Sequence, residues 1–473
     1  MFVRNAASYT MKVAATVFIV DLEAKIRLIL IQKRLNKSSW KIFMSYENFK
    51  LQNQLDVFLV PLPDSQSTTV LVMLPVGSRY ETEKLSGVSH YIEHLMFKGT
   101  KKRPSTLILT REIDRLGADY NAFTGKEYTG YYIKADKNHT EITLDILSDM
   151  LFNSKFDAKE MEREKTVIVE ELRMYRDNPL MHIDMIFEEL MYDGCPLGWD
   201  EGGTDKTVLG FKRNEVLTYR DKYYQPSNMT IAIAGNINKD IRKILTKYFG
   251  DKKKIKEIKS TKEIRDRGDR RYEPAVFGAS AKNKRLRVDN KKTDQAQLAI
   301  GFPAFDYNNA NQPPMVVLNT VLGGSMSSRL FIKIRERLGL AYMVRSGASS
   351  FRDTGYFQIR AGLDAKNINK VLAIVKDEAN KIIEKGVTPR ELRDAKTHLR
   401  GGLALSLEDS SVQASWYVKE ALFRKKIKTP EQRLAEIDLV SNDDIKKTAK
   451  KIFDFNQMRV AVIGEVEGGG VKF

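Results

Sequence analysis

Two of the five histidines in this 473-residue chain stand four residues apart, in Ser89-His90-Tyr91-Ile92-Glu93-His94. Val88, Ile92 and Leu95 supply an apolar stripe at helical spacing, so the segment is predicted to be a helix. Residues i and i+4 of a helix project one above the other, and Glu93 at i+3 shares that face. Two imidazoles placed in this way can reach one ion, as zinc requires for nitrogen ligands at about 2.0–2.1 Å. With histidine this scarce, a chance H-x-x-E-H is rare.

A zinc that does chemistry takes three protein ligands and leaves one position for water. A carboxylate is therefore expected elsewhere in the chain. Residues 160–176 are rich in them, and Glu164 and Glu171, seven apart, fall on one helical face two turns from each other. Glu170 points about 100° away, towards solvent.

The elements that must hold these residues occur twice. Leu116-Gly117-Ala-Asp-Tyr120 followed by Thr129-Gly130-Tyr131 returns as Leu338-Gly339-Leu-Ala-Tyr342 followed by Thr354-Gly355-Tyr356. Asn228-Met229-Thr-Ile-Ala232 returns as Gln457-Met458-Arg-Val-Ala461, and Asp157-Ala-Lys-Glu160 as Thr388-Pro-Arg-Glu391. The offsets lie between 222 and 231, too long for a solenoid and fitting a duplicated domain. Alternating β-branched runs at 68–74, 230–234 and 297–301 read as strands, and longer three-and-four patterns at 142–151, 159–176, 368–384 and 389–407 read as helices. Thr388 and Pro389 are a cap and a first-turn proline for the last of these. The expected class is α+β: two homologous domains, each a mostly antiparallel sheet backed by helices. In the second copy Ala395 stands opposite Glu164 and Gly402 opposite Glu171. The stretch opposite the histidines, 314–319, has none, which points to one site per chain.

Composition is that of a globular protein, with 42% hydrophobic and 30% charged residues and no apolar run long enough to span a membrane. The net charge of +18 is concentrated in two places. Residues 1–43 carry eight Lys and Arg against Asp21 and Glu23, and residues 251–292 carry sixteen against seven acids. The second stretch offers only Tyr272 and Phe277 for stacking bases, so it reads as a solvated connector, and neither a nucleic-acid partner nor stable membrane insertion is expected. The expected division is an extension at 1–43, a metal-binding domain at 44–250, a basic linker at 251–292 and a non-metal domain at 293–473. A single cysteine, Cys195, cannot form an internal disulfide and favours a reducing compartment, so a cytoplasmic location is expected. Cys195 reads as structural, and Gly323-Gly324-Ser325 as a turn before a helix.

The inverted order H-x-x-E-H, the second helix Glu164-Lys-Thr-Val-Ile-Val-Glu-Glu171, Asn121-Ala122-Phe-Thr, Pro196-Leu197-Gly198 and Arg335…Gly339…Tyr342 together resemble the pitrilysin and mitochondrial processing peptidase family. The resemblance covers roughly residues 45–470 in the family's short, two-domain form. It implies a zinc-dependent endopeptidase with one zinc per chain, bound by His90, His94 and Glu171. It implies that Glu93 is the base and Glu164 a carboxylate behind the ligands. Asn121 and Ala122 would lie on an edge strand that pairs with extended substrate. Arg335 and Tyr342 would reach the scissile region from the second domain, Tyr342 facing the oxyanion and Arg335 positioning substrate. Chains of this length resemble half of a clamshell closed by dimerisation, so peptide substrates in a closed chamber and a homodimer are expected. A non-catalytic subunit that binds peptides or a partner chain is the competing class, but such members lack parts of the metal motif and this chain keeps them all. Similar bacterial chains would begin near Met44, so residues 1–43 read equally as a real segment and as an upstream start. Their first twenty residues resemble a transit peptide in lacking acids, yet hold only Arg4 and Lys12.

Overall fold

A computed structural model describes residues 46–250, 284–466 and 470–473, and Glu47–Phe473 form one unit. The expected extension at 1–43 lies outside the described residues, as does most of the expected linker. The predicted strands are present as β3 (Ser67–Leu74), β6 (Thr230–Gly235) and β8 (Ala296–Pro303). Around them lie β1 (Glu47–Lys50), β2 (Asp56–Pro61), β4 (Asp119–Thr124), β5 (Thr129–Asp136), β7 (Leu286–Asp289), β9 (Ala341–Ser350), β10 (Gly355–Leu363) and β11 (Arg459–Ile463).

The strands form two sheets, ordered β1-β2-β6-β3-β5-β4 and β7-β11-β8-β10-β9. Apart from β1 the two orders coincide, and each sheet has one parallel pair, β2 with β6 and β7 with β11. The remaining pairs are antiparallel. The duplication is thus one of topology as well as sequence, in an α+β fold. One boundary needs correction. Residues 286–289, placed in the solvated linker, form β7, the counterpart of β2, because the second sheet needs a parallel partner for β11.

Helices back both sheets. The predicted ones are Thr140–Asn153, Ala158–Asp177, Ile368–Lys385 and Pro389–Ser406. At the start of the last, Thr388 Oγ1 accepts from the Glu391 amide at 3.1 Å and Glu391 Oε2 accepts from the Thr388 amide at 2.7 Å, a reciprocal cap. Two further helices, Pro179–Met191 and Ser410–Phe423, exchange sides. The first leaves its own half to pack on β8 and β11, and the second packs on β2, β3 and β6. Phe187 is wholly buried there against Tyr356, with ring centroids 5.3 Å apart, and a Cβ on Gly301 would stand 2.3 Å from the Phe187 ring. In the first sheet Phe58 stacks on Tyr417 at 6.3 Å, and the buried hydroxyls of Thr69 and Ser410 lie 2.8 Å apart. Cys195 packs at the border of the cluster under the second sheet. No helix among the described residues is long and apolar enough to cross a membrane.

Candidate metal centre

The H-x-x-E-H segment is a helix, Val88–Leu95, and burial fixes its rotation. Val88, Tyr91, Ile92 and Leu95 are buried, which leaves His90, Glu93 and His94 on the other face. Tyr91 donates to the Met161 carbonyl at 2.7 Å and so ties this helix to the carboxylate-bearing helix Ala158–Asp177. At its start Gly87 adopts φ +91°, where a side chain is strained and a Cβ would lie 2.4 Å from the Gly202 carbonyl oxygen. Glu81 accepts from the amides of Gly87 and Ser89, both at 2.7 Å, satisfying two otherwise orphaned donors of the helix. Burial outweighs those bonds and lifts the Glu81 carboxyl to about 8.

The carboxylate helix starts on Asp157, which accepts from the amides of Lys159 at 2.9 Å and Glu160 at 3.2 Å. Its Glu171 Oε2 lies 3.4 Å from His94 Nε2 and 3.8 Å from His90 Nε2, and the three ligand atoms lie within 4.8 Å of one another. Ligands at about 2.0–2.1 Å around a tetrahedral zinc stand roughly 3.3–3.4 Å apart, so this donor set fits the ion with small adjustment. Glu164, nearly wholly buried, faces the back of the same group: its Oε1 is 2.9 Å from His94 Nδ1 and its Oε2 is 2.6 Å from Lys98 Nζ. A carboxylate on the second nitrogen fixes a ligating imidazole's tautomer and orientation. His90 has no such support, its Nδ1 being buried without a hydrogen-bond partner among the described residues. Tyr175 hydrogen-bonds Glu171. Glu170 is exposed and paired with Arg173 at 2.6 Å, as the helical phase predicts.

Electrostatics separate the two imidazoles. Burial, with the neighbouring His94, pushes His90 down to about 4, so its ring is neutral and free to bind metal. Burial opposes charge on His94 too, but Glu164 and Glu171 outweigh it and lift it to about 9. Burial also raises Glu93, against the hydrogen bond from Thr124. The second copy has none of this: Ala395 is buried where Glu164 would be, Gly402 is exposed, and the helix Gln312–Leu322 carries no histidine.

The other expected residues fall in two places. Asn121 and Ala122 lie on β4, an edge of the first sheet, and the last residue of that strand, Thr124, donates to Glu93 Oε2 at 2.5 Å. Arg335 and Tyr342 lie on a π-helical turn, Phe331–Arg337, and on β9, an edge of the second sheet. The Arg335 guanidinium sits 5.3 Å from the Tyr342 ring centroid, and Tyr342 is 73% exposed, so it is not a packing residue. Among the described residues no hydrogen bond, ion pair or ring contact joins Arg335 or Tyr342 to the histidines or Glu171. Glu81, Lys98, Thr124 and Tyr175 were not among the expected site residues. Tyr175 stands four residues after Glu171, a helical signal available in the sequence, whereas Glu81 acts across a loop and leaves no periodic trace.

The fold agrees with what the chain is similar to. Residues 57–198 match Insulinase (Peptidase family M16), and residues 210–399 match the Peptidase M16 inactive domain. An uncharacterized zinc protease of Bacillus subtilis, YmxG, is 33% identical over 407 residues, 86% of this chain and 95% of the relative. A second uncharacterized zinc protease, from Streptomyces coelicolor, is 33% identical over 88% of this chain and 89% of its own length. Among solved structures, a protease from Helicobacter pylori superposes with a TM-score of 0.80 at 22% identity, over 89% of this chain and 100% of its own. A peptidase M16 inactive domain from Pseudomonas fluorescens superposes with a TM-score of 0.79 at 17% identity, covering 89% of this chain and 98% of that one. The chain belongs to peptidase family M16.

Proposed function

We propose that this chain is a zinc-dependent endopeptidase that hydrolyses peptides or unfolded polypeptide segments. The observation that carries the reading is the convergence of His90, His94 and Glu171 from two helices, with Glu93 on the same helix face. Those three side chains would hold one zinc per chain. When bound there, the ion would polarise the substrate carbonyl and lower the pKa of the attacking water. Glu93, partly buried and held through one oxygen, takes the proton of the attacking water and returns it to the leaving amine. Asn121 and Ala122 lie on a strand that edges the first sheet among the described residues, and they offer that edge to an extended peptide, which limits substrates to unfolded segments. The test is cleavage of a peptide library together with metal analysis. The expected result is one zinc per chain, loss of cleavage on chelation and recovery with added zinc. A zinc-loaded chain that binds peptides and cleaves none would be the non-catalytic subunit instead.

The active assembly is a homodimer in which the metal centre of one chain faces Arg335 and Tyr342 of the other, enclosing a chamber. This reading is supported by the single ligand set per duplicated chain and by the exposure of Tyr342 on the other sheet's edge. Mixing Glu93→Gln chains with Tyr342→Phe chains checks it, because a heterodimer carries one site with both groups intact. Activity should return on mixing. No return, once subunit exchange is verified, would place both groups in one chain.

A further inference from the structure

The carboxylate of Glu93 accepts one hydrogen bond among the described residues, and the donor is not on its own helix. It is the Thr124 hydroxyl, 2.5 Å from Oε2, at the end of β4. We propose that Thr124 is a positioning residue for Glu93: it holds Oε2 and leaves Oε1 to take the proton. This rests on the peptidase reading above and adds to it the group that aims the base.

The geometry gives Thr124 a firm anchor. The turn that follows it is closed by Gly125 N donating to the Tyr128 carbonyl at 2.8 Å. The same turn accepts from the amides of Ser78 at 3.2 Å and Arg79 at 2.9 Å. Lys126 is buried and held by the Trp199 carbonyl at 2.6 Å, Glu188 at 3.0 Å and Glu201 at 3.1 Å. Arg79 pairs with Glu127 at 2.6 Å. On its other side Thr124 continues directly into Asn121 and Ala122, on the strand edge. A glutamate turns about three side-chain bonds, and proton transfer requires one oxygen within hydrogen-bond reach of the water. A hydroxyl fixed by the scaffold removes that freedom without touching the metal ligands. It also places the base at the end of the strand on which an extended peptide would lie, so the base and the scissile bond are set from one element.

The experiment measures kcat, KM and bound zinc for wild type, Glu93→Gln, Thr124→Val, Thr124→Ser and the double variant Glu93→Gln/Thr124→Val on one cleaved peptide. Thr124→Val should keep its zinc and a KM within about twofold while losing at least about tenfold in kcat, the pattern of a lost orienting contact. Thr124→Ser, which keeps the hydroxyl, should restore most of it. In the Glu93→Gln background Thr124→Val should cost little more, because the two residues act as a unit. The inference is overturned by an unchanged kcat in Thr124→Val, by a loss that falls on KM or zinc instead, by a serine variant as poor as the valine, or by fully additive losses. Each of those results leaves the peptidase reading standing. A wild type that cleaves nothing, or a Glu93→Gln that cleaves normally, removes that reading and this inference with it.

Discussion

Glu93→Gln should retain its zinc and lose at least about 10²-fold in kcat, the scale of general-base catalysis. The amide has the shape of the carboxylate and its oxygen can still accept from Thr124, so the fold around it persists. It cannot take a proton from water at neutral pH. The metal ligands His90, His94 and Glu171 are untouched, and their mutual distances depend on Glu164, Tyr91 and the helix packing, none of which involves the Glu93 head group. Metal analysis beside steady-state kinetics separates the two effects. Near-normal cleavage by this variant would remove Glu93 from the mechanism.

Neighbouring acids on one helix should behave oppositely. Glu171→Gln is expected to weaken zinc binding by more than about 10²-fold, exceeding the 10–100-fold typical of groups that only support a ligand. Glu170→Gln should leave the metal in place. Glu171 Oε2 faces both Nε2 atoms at 3.4 and 3.8 Å, whereas Glu170 is exposed beside Arg173 and its loss should change stability by at most about 0.5 kcal/mol. Zinc titration of both variants decides the assignment. Metal loss in the Glu170 variant with retention in the Glu171 variant would shift the third ligand by one residue.

What could be read from the sequence was what repeats with a helix or strand period. The i and i+4 histidines and the seven-residue spacing of Glu164 and Glu171 each place side chains on one face, and the structure brings those faces together. The duplication was legible because matching segments recur at a nearly constant offset, and the two sheets share one strand order. Strand β7 was not. Its four residues, Leu286-Arg-Val-Asp289, alternate correctly but sit in a run whose charge masks the pattern. Glu81 was hidden for a different reason: it reaches the histidine helix from six residues before Gly87, outside the positions where capping rules look for an acid. Thr124 stands three residues past Asn121 in the segment Asn121-Ala122-Phe123-Thr124, yet its contact with Glu93 depends on the packing of strand against helix.

The crossing of Pro179–Met191 and Ser410–Phe423 bears on how the chain is made. Ser410 meets Thr69 across 341 residues of sequence, so a nascent chain leaving the ribosome N-terminus first displays one apolar sheet surface until almost the whole message is translated. Closing so distant a contact adds little to its equilibrium cost, since loop entropy grows only with the logarithm of length, but it slows folding. The early product thus exposes an apolar surface prone to aggregation. A gene split between the two copies would yield two sticky fragments, each lacking the cover that the other carries, unless both were made together and met before aggregating.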